Sequence, residues 1–420
     1  MQDHQAEAPQ IVIVGAGIAG LAAALGLHRL GIRSLVLESS TELRTSGFAF
    51  TTWTNAWRAL DSLGIGEQLR RQHTQLVQAC AYSIKGVEMG KLILDANGHE
   101  VRCMQRKVLL ETLERELPRG TIRFGSKVVS LLDEDNVSKP RQQLKLIHLA
   151  DGDVIKAKVV VGCDGVNSVV AKWLGFNKAI STGRAGVRGI AYYRGGHGLD
   201  PVFTQCLGKG VRSGYLPCDD HSMYWFFTFD PTPDQEKELQ SDPVKLKQFV
   251  LERLDGVPDR FRAVVENTEE GQMMLSPLKF RLPWEVALGS VSKGNVCVAG
   301  DACHPMTPDL GQGGCAALED GVVLARCLGQ VLLLGNNDNS GKGDGEEYRK
   351  IERSLRDYAN QRRRRASGLI STAFVMGHVM NSQNRVVSFL RTKFLGAVLN
   401  GQLLSMASFD CGSLTSPQIN

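Results

Sequence analysis

Two glycine-rich segments are the first places where this sequence could do chemistry. Gly15, Gly17 and Gly20 form a G-x-G-x-x-G run, GAGIAG. In such a run the first glycine permits a tight turn and the second lets backbone approach a pyrophosphate. The third allows close packing of the helix that follows, whose free N–H groups and dipole favour an anion. Glu38 lies 18 residues beyond Gly20, near the spacing at which a carboxylate meets ribose hydroxyls. The second segment runs from Gly300-Asp301-Ala302-Cys303-His304-Pro305 through Pro308 to Leu310-Gly311-Gln312-Gly313-Gly314. Asp301 can accept from sugar-alcohol hydroxyls, and the glycines bare a second helix N-terminus suited to developing negative charge. His304, Cys303 and Cys315 read as parts of the loop and its packing rather than as a shuttle or nucleophile.

The elements around these segments fit that chemistry. Residues 11–14, IVIV, are β-branched and apolar like a buried strand. An Ala/Leu-rich helix is expected over 21–30 and a second strand over 33–38, which completes a βαβ unit. Strands are expected at 121–132, 143–149, 158–163 and 295–299, and a long helix at 315–334. From about 186 to 232, short aromatic-rich stretches such as Met223–Phe229 predict an antiparallel sheet. Residues 234–255 read as one charged surface helix, and 335–346, GNNDNSGKGDGE, as a flexible loop. Helices are expected over about 347–381 and 384–406, the latter packed within the fold or lying on a partner.

The three motifs occur in the order of a known family. GAGIAG with Glu38, Cys163-Asp164-Gly165 with Ser168, and GDACHP with LGQGG together resemble the FAD-dependent aromatic hydroxylases. These are single-component (class A) flavoprotein monooxygenases built like p-hydroxybenzoate hydroxylase. The spelling LGQGGCAALED looks most like plant members related to zeaxanthin epoxidase, and 47–64 is similar to the family's G…N-A…L…L-G stretch. The resemblance covers roughly residues 10–370.

It implies an α/β fold: a Rossmann-like FAD-binding domain with an antiparallel-sheet substrate domain and C-terminal helices. The expected boundaries are 10–185 plus 275–345 for FAD, with about 75–105 contributing to the substrate domain, then 186–274 for substrate and 346–420 for the helices. By the same resemblance Gly15, Gly17, Ala19 and Gly20 hold the FAD pyrophosphate and Glu38 the adenosine ribose. Arg106 reaches the flavin side, Arg44 lies near the cofactor, and Val128 meets adenine. Asp164 serves both FAD and NAD(P)H. Asp301 and Pro308 lie by the ribitol–pyrophosphate region, and Gly311, Gly313 and Gly314 beside the isoalloxazine. Ala171 and Lys172 stand where the family usually has an arginine after the Asp-Gly motif.

The implied activity uses NADPH or NADH and dioxygen to hydroxylate or epoxidise a small hydrophobic or aromatic metabolite through a flavin hydroperoxide, in specialised metabolism. The alternatives are an FAD oxidase or dehydrogenase on the same scaffold, and a catalytically inactive flavin-binding interaction protein. No W-x-W-x-I-P stretch suggests a halogenase, and no second G-x-G-x-x-G suggests a class B enzyme. The substrate pocket is expected between the FAD domain and the antiparallel sheet, from among Phe50, Arg188, Tyr192, Tyr215, Tyr224, Trp225 and Phe227. Alternation allows only about half of these to face it.

Composition agrees. The 420 residues are 43 % apolar and 22 % charged, with 49 basic and 44 acidic side chains. Such a chain builds a large core and is not a marked nucleic-acid binder. The basic run Arg362–Arg365 reads as a solvated helix face. Ten scattered cysteines without C-x-x-C spacing suggest reduced, packed thiols and no metal site. No run of 18 apolar residues predicts a membrane span, although the C-terminal arm leaves room for weak peripheral contact. The N-terminus lacks leader character, so a cytoplasmic location is expected.

Overall fold

The fold was analysed in a computed structural model that describes residues 10–44, 47–83, 85–134, 144–208, 210–254, 256–334, 344–381 and 403–414. Ile11–Val14 is buried at all four positions and occupies the middle of a six-stranded sheet. The order is Ser292–Lys293, Val296–Val298, Val159–Gly162, Ile11–Val14, Leu35–Leu37, Ile122–Arg123. Pairing is parallel except for the edge hairpin formed by the first two strands. The strands are continuous apolar runs, as expected of a sheet covered on both faces.

The helix Ile18–Arg29 starts at the first glycine motif and packs on the long helix Gly313–Leu334. Small residues let the two backbones meet. A Cβ at Gly26 would lie 2.7 Å from the Ala325 methyl, and one at Gly321 would lie 2.6 Å from that of Ala22. Asp344–Asn381 lies across the same layer, and its buried Tyr358 hydroxyl donates to the Val298 carbonyl oxygen at 3.1 Å.

A second, seven-stranded sheet has the order Met273–Phe280, Ile180–Tyr192, Ser222–Phe229, Val211–Asp219, Val202–Gly208, Gln78–Ser83, Glu88–Ile93. It is antiparallel except where Val202–Gly208 meets Gln78–Ser83. The strands Ile180–Tyr192 and Met273–Phe280 run across the boundaries expected at 185/186 and 274/275. Along Ser222–Phe229, Met223, Trp225, Phe227 and Phe229 pack under helices, while Tyr224, Phe226 and Thr228 point the other way.

Two sequence expectations need correcting. The stretch 234–255 is two helices, Pro233–Ser241 and Pro243–Glu252, because the proline disfavours helix at Asp242, whose carboxylate instead caps the second helix through the Lys245 N–H. Both bury apolar residues, Leu239 in the first and Leu246 and Val250 in the second, against the sheet. The Arg362–Arg365 run is not a solvated face: Arg362 is fully buried and only Arg364 is exposed. Of the expected loop 335–346, residues 335–343 lie outside the described residues, and the following helix starts at Asp344. Most of the expected helix 384–406 also lies outside them. Residues 403–414 pack back on the core, burying Ala407 and Cys411. Among the described residues no helix is long and apolar enough to cross a membrane, and no three His, Cys, Asp or Glu side chains converge on a metal-sized site.

Candidate active site

Gly15 has φ +102°, and a Cβ there would press on the Cys163 carbonyl oxygen at 2.5 Å. Gly20 is tighter still: its Cβ would lie 2.0 Å from the Gly15 carbonyl oxygen. Gly17 differs, since nothing stands within 4 Å of its missing Cβ. The motif therefore turns, packs and opens at successive glycines, and the open one faces a cleft.

That cleft has a volume of about 600 Å³. Gly15, Gly17, Glu38, Arg44, Arg106, Val128 and Asp164 all line it. So do Ser126, Lys127 and Asn167, which sequence reasoning passed over; the adjacency of Lys127 to Val128 was the available signal. Ala19 does not line it. Its methyl group is buried against Gly300, leaving only its backbone near the helix start.

The Glu38 carboxylate is buried, which by itself would raise its pKa. Hydrogen bonds from the Ser40 and Ala16 N–H groups at 2.9 Å, and Arg44 at 3.0 Å, outweigh that and hold it below the usual range. Among the described residues Oε2 accepts only from Ala16, which leaves a lone pair for a hydroxyl. Asp164 is raised by burial, against donation from Ser168 and the Val169 N–H at 2.7 Å. Its carboxylate thus ties down the turn before the helix Val169–Trp173 as well as facing the cleft. Lys172 on that helix is exposed and Ala171 buried.

Arg106 opens the helix Arg106–Arg115, and its buried Nε has no hydrogen-bond partner among the described residues. Desolvation lowers its pKa, Asp301 opposes that, and Arg188 and Arg44 add to it. A cleft with an uncommitted guanidinium edge, a helix N-terminus and open space at Gly17 fits a diphosphate-linked dinucleotide.

A second, mostly apolar cavity of about 160 Å³ lies between the two sheets' domains. One wall is Phe50, Thr51, Trp53 and Pro308–Gly311; the other includes Arg188, Phe203, Tyr224, Phe226 and Leu278. Of the residues named from the sequence, Phe50, Arg188 and Tyr224 line this cavity. Tyr192 does not: it is 54 % exposed. Tyr215, Trp225 and Phe227 sit on the opposite sheet face, where Tyr215 stacks on Phe261 and the Trp225 Nε1–H donates to Thr268 Oγ1. Strand alternation puts Phe226 where Phe227 was expected. Gln205, Arg212 and Leu403 were missed, and nothing local marks them. Pro308 and Gly311 belong to this cavity rather than to the cleft. Gly311 takes φ +64° beneath Thr51 and Trp53. Gly313 and Gly314 line neither cavity; a Cβ at Gly314 would strike the Phe50 ring at 2.5 Å.

Beneath the second motif lies a buried charge cluster. The Gly300 N–H donates to Asp320 Oδ2 at 2.7 Å, and His304 Nε2 meets the same oxygen at 2.6 Å. Arg362 donates to Asp320 Oδ1 at 2.5 Å and to Glu319 Oε2 at 2.6 Å. Arg365 and Asn55 hold Glu319 Oε1 at 2.9 and 2.5 Å. His304 therefore shapes the loop, and Cys303 and Cys315 are packed thiols pushed by burial to about 12.

Burial would raise Asp320, but His304 and Arg362 bring it to about 2. Burial would lower His304, but Asp320 outweighs it and the net shift is upward. A raised histidine stabilises the fold below its unfolded pKa of about 6.5, and that contribution fades as pH climbs through the higher folded value. The Asp320 contribution is present above about 4 and is lost as pH falls toward 2. Thermal midpoints of wild type and His304→Gln should accordingly differ most between about pH 4 and 6 and converge on the alkaline side. A gap that widens with rising pH would refute the assignment.

Fold and cleft define a dinucleotide-binding α/β protein with an attached sheet that walls a second, apolar cavity. The family model described as an FAD binding domain matches residues 8–340. The chain belongs to that family of FAD-dependent monooxygenases, and FAD is its cofactor. It is 47 % identical over 415 residues to Monooxygenase 2 of Arabidopsis thaliana, covering 97 % of this chain and 98 % of the relative. With Monooxygenase 1 of the same plant it shares 34 % over 404 residues, covering 96 % and 99 %. Among solved structures, HpxO of Klebsiella pneumoniae with FAD and uric acid superposes with a TM-score of 0.79 at 22 % identity, covering 99 % of each chain. That likeness shows the shared fold.

Proposed function

We propose that this protein is an NAD(P)H-dependent FAD monooxygenase of specialised metabolism. It consumes dioxygen and adds one oxygen atom to a small hydrophobic or aromatic metabolite, the other leaving as water with the two electrons of NAD(P)H. The observation that carries the reading is the largely apolar cavity lined by the Pro308–Gly311 loop and the antiparallel sheet, whose Arg188 acts electrostatically on Arg106 in the dinucleotide cleft.

FAD, when bound, supplies the redox and oxygen chemistry. The chain's part is to hold and enclose. The glycine motif, Glu38 and Arg106 would hold the cofactor, and Asp301 stands within electrostatic reach of Arg106. The first amides of the Gly313–Leu334 helix have no partner within it and present a positive end toward negative charge. Phe50, Trp53, Phe203, Phe226 and Leu278 keep water from the substrate.

The test is anaerobic mixing of flavin-loaded protein with NADPH or NADH while the flavin's visible absorbance is followed. Bleaching by the nicotinamide, accelerated by one class of small molecule, is the expected outcome. Bleaching by an organic substrate alone would replace this reading with an oxidase or dehydrogenase.

A further inference from the structure

The apolar cavity has one wall unlike the others. Leu310 and Leu403 line it there, and both belong to a separate core cluster that lies behind them. That cluster has ten members among the described residues. Five are methionines, Met89, Met306, Met376, Met380 and Met406, which is half of the ten in the chain. The rest are leucines and alanines, with no aromatic and no β-branched side chain among them. The core under the opposite sheet face is built the other way, largely of aromatics and valines.

The backbone around the methionine wall is fixed. Ala373, Met376 and Met380 repeat at three and four along the helix Asp344–Asn381 and so share one face. Gly377 of the same helix presses on the loop: a Cβ there would lie 2.4 Å from Asp309 Oδ2. Asp309 in turn receives Arg184 at 3.0 and 3.2 Å and Arg212 at 3.0 Å, both from the sheet. What can yield at this wall is therefore side chain, not main chain. Methionine has three rotatable bonds and refits around a guest, whereas β-branched residues are stiff.

The remaining walls do not give way. The Phe50 ring is backed by Gly314, and Gly311 sits under Thr51 and Trp53. The sheet contributes Val187, Phe203, Tyr224 and Phe226. The volume of about 160 Å³ is room for one ring, since a cavity of about 150 Å³ holds a benzene. A longer guest must displace something, and the methionine side moves without moving backbone.

We infer that the methionine cluster is a subsite for a flexible aliphatic chain, and that the substrate class is a single ring carrying a linear alkyl substituent. The ring occupies the cavity, and the chain passes Leu310 and Leu403 to lie among Met306, Met376 and Met380. This rests on the reading of the cavity as the substrate site of a monooxygenase, but it makes its own demand: the length and linearity of the chain decide binding.

The test is calorimetric titration of the FAD-loaded protein, without reductant, with 4-methyl-, 4-butyl-, 4-hexyl- and 4-tert-butylphenol. Each added methylene should tighten binding roughly threefold, so the hexyl compound should bind about 100-fold or more tightly than the methyl one. The tert-butyl isomer has the carbon count of the butyl compound and should bind roughly tenfold more weakly, because a branched group cannot thread between the leucines. Met376→Phe should flatten the dependence on chain length while leaving 4-methylphenol within about twofold of wild type. Met380→Ile, close in volume but branched at Cβ, asks the same without overpacking, and thermal midpoints report that each variant is folded. Equal binding of the methyl and hexyl compounds, equal binding of the two butyl isomers, or no binding of any of the four overturns the inference. So does an unchanged dependence on chain length in both variants. Chain-length dependence without bleaching by NADPH or NADH would leave this inference standing and remove the monooxygenase reading instead; bleaching without chain-length dependence would do the reverse.

Discussion

Gly20→Ala is expected to purify without its yellow cofactor. The added methyl group would lie 2.0 Å from the Gly15 carbonyl oxygen and 3.3 Å from the Cys163 Cβ, and neither neighbour is the yielding end of a long side chain. The turn must open, at a strain cost of about 1–3 kcal/mol. It also carries away the amides of the helix start. A lost hydrogen bond to a charged phosphate oxygen costs about 1.5–3 kcal/mol, so the FAD dissociation constant should rise roughly 10- to 100-fold. Gly17→Ala provides the contrast. Its backbone is extended, φ −80° and ψ −175°, and nothing lies within 4 Å of the new methyl group. That variant should fold with nearly wild-type apo stability and lose FAD affinity alone, because its methyl group occupies cofactor space. Equilibrium dialysis of FAD with thermal unfolding of the apo forms separates the two; equal apo stability in both variants would contradict the steric account.

The second large effect is at Arg362. In Arg362→Leu, Asp320 and Glu319 stay buried while their shared cation disappears, and a broken buried pair of this kind costs roughly 3–5 kcal/mol. The thermal midpoint should fall by roughly 5 °C or more. FAD should bind more weakly too, because Asp320 also holds the Gly300 N–H under the second glycine motif. Arg362→Lys should fall between, since one ammonium cannot reproduce donation from both Nε and Nη2. A leucine variant of unchanged midpoint would show that the cluster is solvated.

Local turn chemistry made the glycine motif legible. Gly15, Gly17 and Gly20 each have a steric reason within a few residues, and so does the run of apolar strands around them. The cavity was less so, because which of Tyr224, Trp225, Phe226 and Phe227 faces inward is a parity that depends on the register with Ile180–Tyr192. The same dependence on register hid the true place of Tyr215, whereas Tyr192 shares the face of Arg188 but lies four residues along, at the exposed end of the strand. Arg362 does carry a signal in the sequence. Leu355, Tyr358, Arg362, Ala366, Leu369 and Ala373 fall at spacings of three and four, so the arginine continues an apolar stripe. Glu319 and Asp320, in turn, interrupt the apolar helix Gly313–Leu334 as a pair of acids that needed cations. Neither half declares the other, because 42 residues separate Arg362 from Asp320.

That pairing also decides where this protein can be cut. The family model's match ends at residue 340, which invites truncation there as though an independent unit had ended. Energetically it is not an end. Both acids lie before the cut and both arginines after it, so the trimmed chain would inherit two buried negative charges and lose Tyr358 from the sheet edge. The long helix after residue 340 is thus a counter-ion that the flavin layer borrows from outside the family's matched span. Supplied as a separate peptide spanning 344–381, it is the natural candidate to rescue the fragment by complementation.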